Sequence, residues 1–361
     1  MKTLFDHQTF HIQRFGGISR YFYEIATRFE HTLPEIALRF SMNQYIRDKR
    51  LVTYTAVPKR PFKILEGVFR SLNRKSSLKV IRKGDFDIFH PTYYDPYFLD
   101  ALQGKPFVLT IHDMTHERFP QYFSPTDPTP ANKRILAEKA TRIIAISECT
   151  KRDVIVFLGV PEEKIDVIYH GIEPQPVGVG KPEGLPEHYI LYVGERRGYK
   201  NFEVVAKAFA EMASKQPDLH LVLTGRPLSK SEQKSFEEKG IQDKVVVMND
   251  VNDKVLAQLY HGARLFVYPS LYEGFGIPIL EAFSQRCPVV LSRASCFPEV
   301  AGEAAEYFEP DSLDGLVRAL TKVLTDEARR EELVEKGAER LKRFTWQETA
   351  RLTEETYRKI I

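Results

Sequence analysis

At 361 residues, with 43% apolar and 28% charged residues, the chain has the composition of a folded protein long enough for two domains. A formal net charge of +3 makes no electrostatic case for a nucleic-acid partner, and no run approaches the ~20 consecutive apolar residues needed to span a bilayer. The three cysteines, Cys149, Cys287 and Cys296, are odd in number and lack zinc-type spacing, and Met1 to His7 lacks the apolar core of a signal peptide. Both features point to reduced thiols in a cytoplasmic protein.

Taken in chain order, strand-like runs alternate with helical ones. The first half reads as a strand over Lys2–Phe5, a helix over Ser19–Phe29, and strands over Ile36–Phe40, Phe86–His90, Phe107–His112, Arg142–Ser147 and Asp166–Tyr169. Between Pro174 and Pro186, proline and glycine break the pattern as in an interdomain linker. The alternation restarts with Tyr189–Val193, a helix over Phe202–Lys215, Leu219–Thr224, a polar helix near Ser229–Lys239, Lys244–Met248, a helix over Lys254–His261 and the apolar run Arg264–Ser270. Pro288–Ser292 supplies one more strand before helical stretches from Ser312 to Arg343. Strands separated by helices mean parallel βαβ units, so the fold class is α/β, with two Rossmann-like, doubly wound parallel-sheet domains. The expected boundaries are 1–175 for the first domain, 176–186 for the linker and 187–343 for the second domain. Residues 344–361 form a C-terminal helix expected to pack back on the first domain. Ligands of such sheets bind beyond the carboxyl ends of the strands, so two facing halves would form a cleft.

The segment most telling for function is bracketed by Glu273 and Glu281, with Gly274, Phe275, Gly276, Ile277 and Pro278 between them. It follows an apolar strand, and Pro278 stands where a helix can begin. One carboxylate therefore sits on a loop and the other on the first turns of a helix, whose N-terminus offers N–H groups and a positive dipole end to an anion. Such a site can hold a diphosphate and read hydroxyl groups. The strand Tyr189–Val193 runs into a glycine-rich turn carrying cations, Gly194, Arg196, Arg197 and Lys200, which suits a phosphorylated ligand. Gly16 and Gly17, before the first helix, are a second place for anion contact through backbone amides, and His112 ends a strand at the edge where site residues gather.

These segments, with Thr110 to Asp113 and Ile146 to Glu148, occur in the order seen in retaining glycosyltransferases of family 4 (glycosyl transferases group 1), and the chain resembles bacterial mannosyltransferases of that family along nearly its whole length. The resemblance implies the GT-B fold. It also implies that Glu281 holds the ribose hydroxyls of a sugar nucleotide and that Glu273 contacts the donor sugar. Arg196 and Lys200 would neutralise the departing diphosphate, while the backbone of Phe275, Gly276 and Ile277 positions sugar and phosphate. Gly17, beside Gly16, would lie against the diphosphate and His112 near the sugar. The turn reads Arg-Arg-Gly-Tyr-Lys instead of the commoner Pro-Arg-Lys, which leaves open whether Arg196 or Arg197 reaches phosphate.

Cleavage of an anomeric carbon–diphosphate bond builds negative charge that fixed cations and a helix terminus can stabilise, so neither metal nor cofactor is expected. Asp85 and Asp87 match a DxD spacing but stand far from the other motifs and are read as structural. Retention without a dedicated carboxylate pair favours front-face attack, with the leaving phosphate taking the acceptor's proton. The resemblance to mannosyl enzymes favours GDP-mannose as the donor, with UDP-sugars open. The acceptor that the resemblance implies is a saccharide or lipid-linked saccharide of cell-surface polysaccharide or glycolipid synthesis. Lys59–Lys83 carries nine basic residues against Glu66, with Ile64, Leu65, Val68, Phe69 and Leu72 at helical spacing, and could rest on an anionic membrane or pack on its own domain. His90 to Tyr94 adds aromatic surface for a sugar, or core. The alternatives are a GT-B epimerase acting on UDP-GlcNAc, which needs its own acid/base carboxylates, and a non-catalytic two-lobed nucleotide-binding protein.

Overall fold

The strand pairs among the described residues all run parallel, as alternation of strand and helix requires. A computed structural model describes residues 1–46, 51–52, 54–173, 175–178, 180, 182–249 and 251–361. The chain divides into unit 1, Met1–Gly171 with Thr345–Ile361, and unit 2, Ile172–Phe344.

Unit 1 contains β1 (Lys2–Phe5), β2 (Leu33–Ile36), β3 (Phe40–Ser41), β4 (Thr55–Ala56), β5 (Ile88–His90), β6 (Val108–Ile111), β7 (Arg142–Ala145) and β8 (Ile165–Val167). They form sheets in the orders β2-β1-β5 and β6-β7-β8, linked by a parallel bridge between Phe89 and Phe107, plus the small pair β3-β4. Phe5 is in register with both Ile36 and His90, so three strands end level at their carboxyl edge. The expected strand Ile36–Phe40 is interrupted. Asn73 Oδ1 accepts the N–H groups of Arg39 and Phe40 at 3.1 and 2.8 Å, which turns that backbone toward a helix side chain instead of a neighbouring strand.

The helix Trp346–Arg358 belongs to unit 1. Tyr357 OH lies 2.7 Å from His90 Nδ1, and the Glu354 carboxylate accepts the N–H groups of Glu30 and His31. Trp346 packs edge-on to His170 with ring centroids 5.8 Å apart. A Cβ on Gly171 would come within 2.2 Å of the Trp346 amide nitrogen, so only glycine permits this approach.

Unit 2 contains β9 (His188–Tyr192), β10 (Leu219–Thr224), β11 (Val245–Met248), β12 (Leu265–Tyr268), β13 (Val289–Ser292) and β14 (Ala305–Phe308) in one sheet, ordered β11-β10-β9-β12-β13-β14. Strand β14 was not expected from the sequence. The helix Phe202–Ala213 lays Val205 and Phe209 against Leu221 and Leu223 of β10, forming one flank of the core. Strand order reverses between β9 and β12, the switch point beyond which open sheets hold their ligands. Pro174, Val179 and Lys181 of the expected linker region lie outside the described residues. Between Pro174 and Val179 the chain is tied into unit 2, which begins at Ile172. Gln285 Oε1 accepts the Gly178 N–H at 2.8 Å, and its Nε2 donates to the Gln175 carbonyl at 3.2 Å.

Candidate active site

The two segments singled out in the second half of the sequence leave adjacent central strands. The turn Gly194–Asn201 follows β9, and the loop from Pro269 to Gly276 follows β12, which pairs directly with β9. Their backbones are joined. Leu271 N–H donates to the Tyr199 carbonyl at 2.8 Å, and Asn201 Nδ2 reaches the carbonyls of Pro269 and Pro310 at 3.3 and 3.0 Å.

On that base Lys200 Nζ donates to Glu273 Oε1 at 2.7 Å, with the two side chains only 18% and 14% exposed. Glu273 is held further through its backbone. Its N–H donates to Ser295 Oγ at 3.1 Å, and Cys296 Sγ lies 3.2 and 3.1 Å from the carbonyls of Glu273 and Phe275. The buried Tyr268 phenol faces Glu273; burial and then the Glu273 charge push its pKa well above the ordinary value, so it stays protonated.

The helix Ile277–Ser284 starts at Gly276, whose φ of +92° is left-handed. A Cβ there would also press on Ile279 and Phe297 at 3.1 Å each, so the position needs glycine on both counts. Pro278 has no N–H and the Ile279 N–H donates to the Gly276 carbonyl at 2.9 Å, so the amide left to head this helix, beyond the carboxyl end of β12, is that of Ile277. Glu281, half-buried on the same helix, accepts a hydrogen bond from Tyr260 OH at 3.2 Å.

The two arginines between which the sequence left the phosphate contact open, Arg196 and Arg197, are placed differently. The Arg196 guanidinium is buried and turned into unit 2, bonding Glu232 Oε1 at 3.0 Å and the carbonyls of Thr224, Arg226 and Pro227 at 3.2, 2.5 and 3.3 Å. Those bonds occupy the fork that would otherwise grip phosphate. Arg197 is exposed, and its side chain makes no hydrogen bond or ion pair among the described residues, which makes it the arginine of this turn open to an anion. Gly194 takes φ +123° beside it.

In unit 1, Gly17 opens the helix Gly17–Ala26 and Gly16 precedes it in extended backbone. Gln13 Oε1 accepts the Ser19 N–H at 3.0 Å, while the Gly17 and Ile18 amides head the helix without intrahelical partners. His112, just past β6, is buried among Tyr21, Phe22 and His170. Burial lowers its pKa to about 4, so its ring is neutral at ordinary pH, and Nε2 has no hydrogen-bond partner among the described residues. Asp85 pairs with Lys2 Nζ at 2.9 Å, and Asp87 accepts the Lys2 N–H at 2.7 Å. Both carboxylates of the DxD spacing are thus engaged with the first strand.

Sequence reasoning missed Tyr260, Tyr268 and Ser295, the residues that hold the two glutamates in place. Ser295 carried a weak signal, as a non-glycine residue in a small-residue turn, where it adopts φ +54°. Tyr260 and Tyr268 read as ordinary core aromatics.

Two doubly wound parallel-sheet units, one of them with a cation turn and a carboxylate loop at its switch point, define a GT-B glycosyltransferase. Residues 15–176 match Glycosyltransferase Family 4 and residues 180–340 match Glycosyl transferases group 1, and the chain belongs to that family. It is 28% identical over 314 residues to the O-antigen chain mannosyltransferase B of Escherichia coli, covering 82% of this chain and 80% of that one. It is also 28% identical over 301 residues to the MMP alpha-(1->4)-mannosyltransferase of Mycolicibacterium hassiacum, covering 78% and 72%. In fold it is similar to Anabaena HepE in complex with UDP and glucose, with a TM-score of 0.74 at 18% identity over 99% of this chain and 100% of that one. The lipopolysaccharide-biosynthesis glycosyltransferase WaaG gives 0.71 at 16% identity, covering 98% of each chain.

Proposed function

We propose that this glycosyltransferase moves mannose, with retention of configuration and without a metal ion, from GDP-mannose to a saccharide or lipid-linked saccharide in cell-surface polysaccharide or glycolipid synthesis. The observation that carries the reading is the meeting of Lys200 and Glu273 at 2.7 Å between neighbouring strand ends, directly before a helix N-terminus. Lys200, Arg197 and the Ile277 amide at the head of its helix stabilise the diphosphate as it leaves, Glu273 reads sugar hydroxyls, and Glu281 holds the ribose diol. Unit 1 taken by itself offers a neutral hydrogen-bonding ring at His112 and, at the Gly17 and Ile18 amides, a place for an anion. The acceptor hydroxyl attacks from the leaving-group face and passes its proton to a phosphate oxygen. Mannose as the transferred sugar rests on the named relatives, O-antigen chain mannosyltransferase B and the MMP mannosyltransferase; HepE, solved with UDP and glucose, keeps UDP-sugars as the competing donors.

A lipid-linked acceptor calls for a membrane face. The basic segment folds as two helices, Lys59–Ile64 and Glu66–Lys83. Phe62 and Phe69 turn inward and stack at 5.2 Å, while Ile64, Leu65 and Val68 remain exposed at 74%, 46% and 54% among Lys59, Arg60 and Lys63. Apolar side chains set among cations suit the interface of an anionic bilayer, where each cation contributes about 1 kcal/mol. No helix among the described residues is long and apolar enough to cross a membrane. The proposed contact is a peripheral one, at the inner face of the cytoplasmic membrane.

Incubation with GDP-mannose, GDP-glucose and UDP-glucose in EDTA, followed by nucleotide release and by NMR of the new linkage, tests the reaction. GDP-mannose turnover with an α-linked product is expected. An inverted linkage, or activity lost in EDTA and restored by a divalent cation, refutes the mechanism. Sedimentation with phosphatidylglycerol but not phosphatidylcholine vesicles, abolished by replacing Ile64, Leu65 and Val68 with serine, tests the membrane face; equal binding to both vesicles refutes it.

A further inference from the structure

The helices Asp253–Gly262 and Ile277–Ser284 pack together, and Tyr260 of the first meets Glu281 of the second. Tyr260 is 1% exposed, with its ring edge-on to Phe266 at 5.2 Å and 87°. Its hydroxyl makes one hydrogen bond among the described residues, donated to Glu281 Oε2 at 3.2 Å. Phenylalanine would fill the same space. A hydroxyl withdrawn from water here is therefore a net cost unless its acceptor compensates, and a carboxylate is the acceptor that compensates best. Burial and the Glu281 charge keep the phenol protonated, so toward the carboxylate it is the donor.

We infer that Tyr260 is a positioning residue for the donor: by fixing Oε2 of Glu281, it orients that carboxylate to accept both hydroxyls of a ribose diol. The inference rests on the assignment of Glu281 to the ribose. A glutamate side chain has three rotatable bonds, and a diol is read well only by a carboxylate whose plane is held. Along its own helix, the i−4 neighbour of Glu281 is the apolar Ile277 and the i+4 neighbour is Gln285. Gln285 is engaged elsewhere, with Gly178 and Gln175. The phenol from the neighbouring helix supplies a restraint from outside Glu281's own helix. Tyr268 stands in a similar relation to Glu273, so each glutamate of the site has a buried phenol of its own.

The test compares wild type with Tyr260→Phe by calorimetric titration with GDP and with 2′,3′-dideoxy-GDP, and with the corresponding UDP pair. Wild type should prefer the ribose form of the nucleotide it binds. Tyr260→Phe should weaken that form by about tenfold, leave the dideoxy form unchanged, and so erase most of the preference. A role confined to packing would weaken both forms alike. Tyr260→Phe with its ribose preference intact overturns the inference while sparing the Glu281 assignment. A wild type with no ribose preference, or one that binds neither nucleotide, overturns both. Tyr260→Leu serves as a packing control: it should weaken thermal stability while adding no further loss of ribose preference beyond that of Tyr260→Phe, and a larger loss counts against the hydroxyl as the operative group.

Discussion

Replacing Lys200 with methionine keeps most of the side-chain volume and removes one charge from the place where the leaving group develops its own. At an effective dielectric near 20, two unit charges about 4 Å apart interact by about 4 kcal/mol, and Lys200 sits in such a partly water-excluded position, with only 18% of its side chain exposed. Because the diphosphate gains charge as the anomeric bond breaks, most of that interaction belongs to the transition state. The expected loss is about 100- to 1000-fold in kcat, with a smaller change in KM for the donor. The assay is nucleoside diphosphate release at saturating donor. Glu273, left without its 2.7 Å partner, should lower thermal stability by about 1–2 kcal/mol, a Tm shift of a few degrees. Lys200→Arg should recover part of the rate. A Lys200→Met enzyme whose kcat stays within about threefold of wild type refutes the electrostatic argument.

Glu281→Ala should weaken nucleoside diphosphate binding by about 10- to 100-fold in calorimetry, since it removes hydrogen bonds to a charged acceptor; unchanged affinity contradicts the ribose assignment. The two arginines of the turn should separate by assay. Arg197→Ala lowers turnover with Tm intact, whereas Arg196→Ala takes its guanidinium from Glu232 and from the Thr224 and Arg226 carbonyls and destabilises unit 2 by about 1–3 kcal/mol in thermal melts. Acid should weaken unit 1 in particular. Burial lowers the pKa of His112 to about 4 and of His90 to about 3, both below the unfolded value near 6.5, so the unfolded chain binds their protons first. Their contribution is intact above about pH 6.5 and is lost as pH falls toward 4, by about 3 kcal/mol for each. Trp346, the single tryptophan and buried in unit 1, reports this by fluorescence in denaturant titrations; a midpoint that does not move between pH 7 and pH 4 contradicts it.

The fold was largely legible because buried parallel strands such as Val108–Ile111 and Leu265–Tyr268 are near-continuous apolar runs, and helices between them leave few topologies open. Strand β14 escaped notice because Ala305–Phe308 includes half-buried Glu306 and Tyr307 at a sheet edge, where the apolar signal fades. The break after Ile36 depends on Asn73, a helix residue more than thirty positions away whose amide binds the backbone. In the candidate site, spacing identified the cation turn and the glutamate segment but not the direction of each side chain. Arg196 turns inward because Glu232, set by a capping box at the start of Lys230–Glu238, waits for it beneath the turn. Tyr260 and Glu281 lie on different helices, and no periodicity within either one announces their hydrogen bond.

A crystal structure of the chain with GDP-mannose or GDP, grown in EDTA, tests the proposed site most directly. The account predicts the diphosphate at the N-terminus of Ile277–Ser284 within hydrogen-bonding distance of Lys200 and Arg197, with both ribose hydroxyls on Glu281. A nucleotide bound away from these three side chains contradicts it.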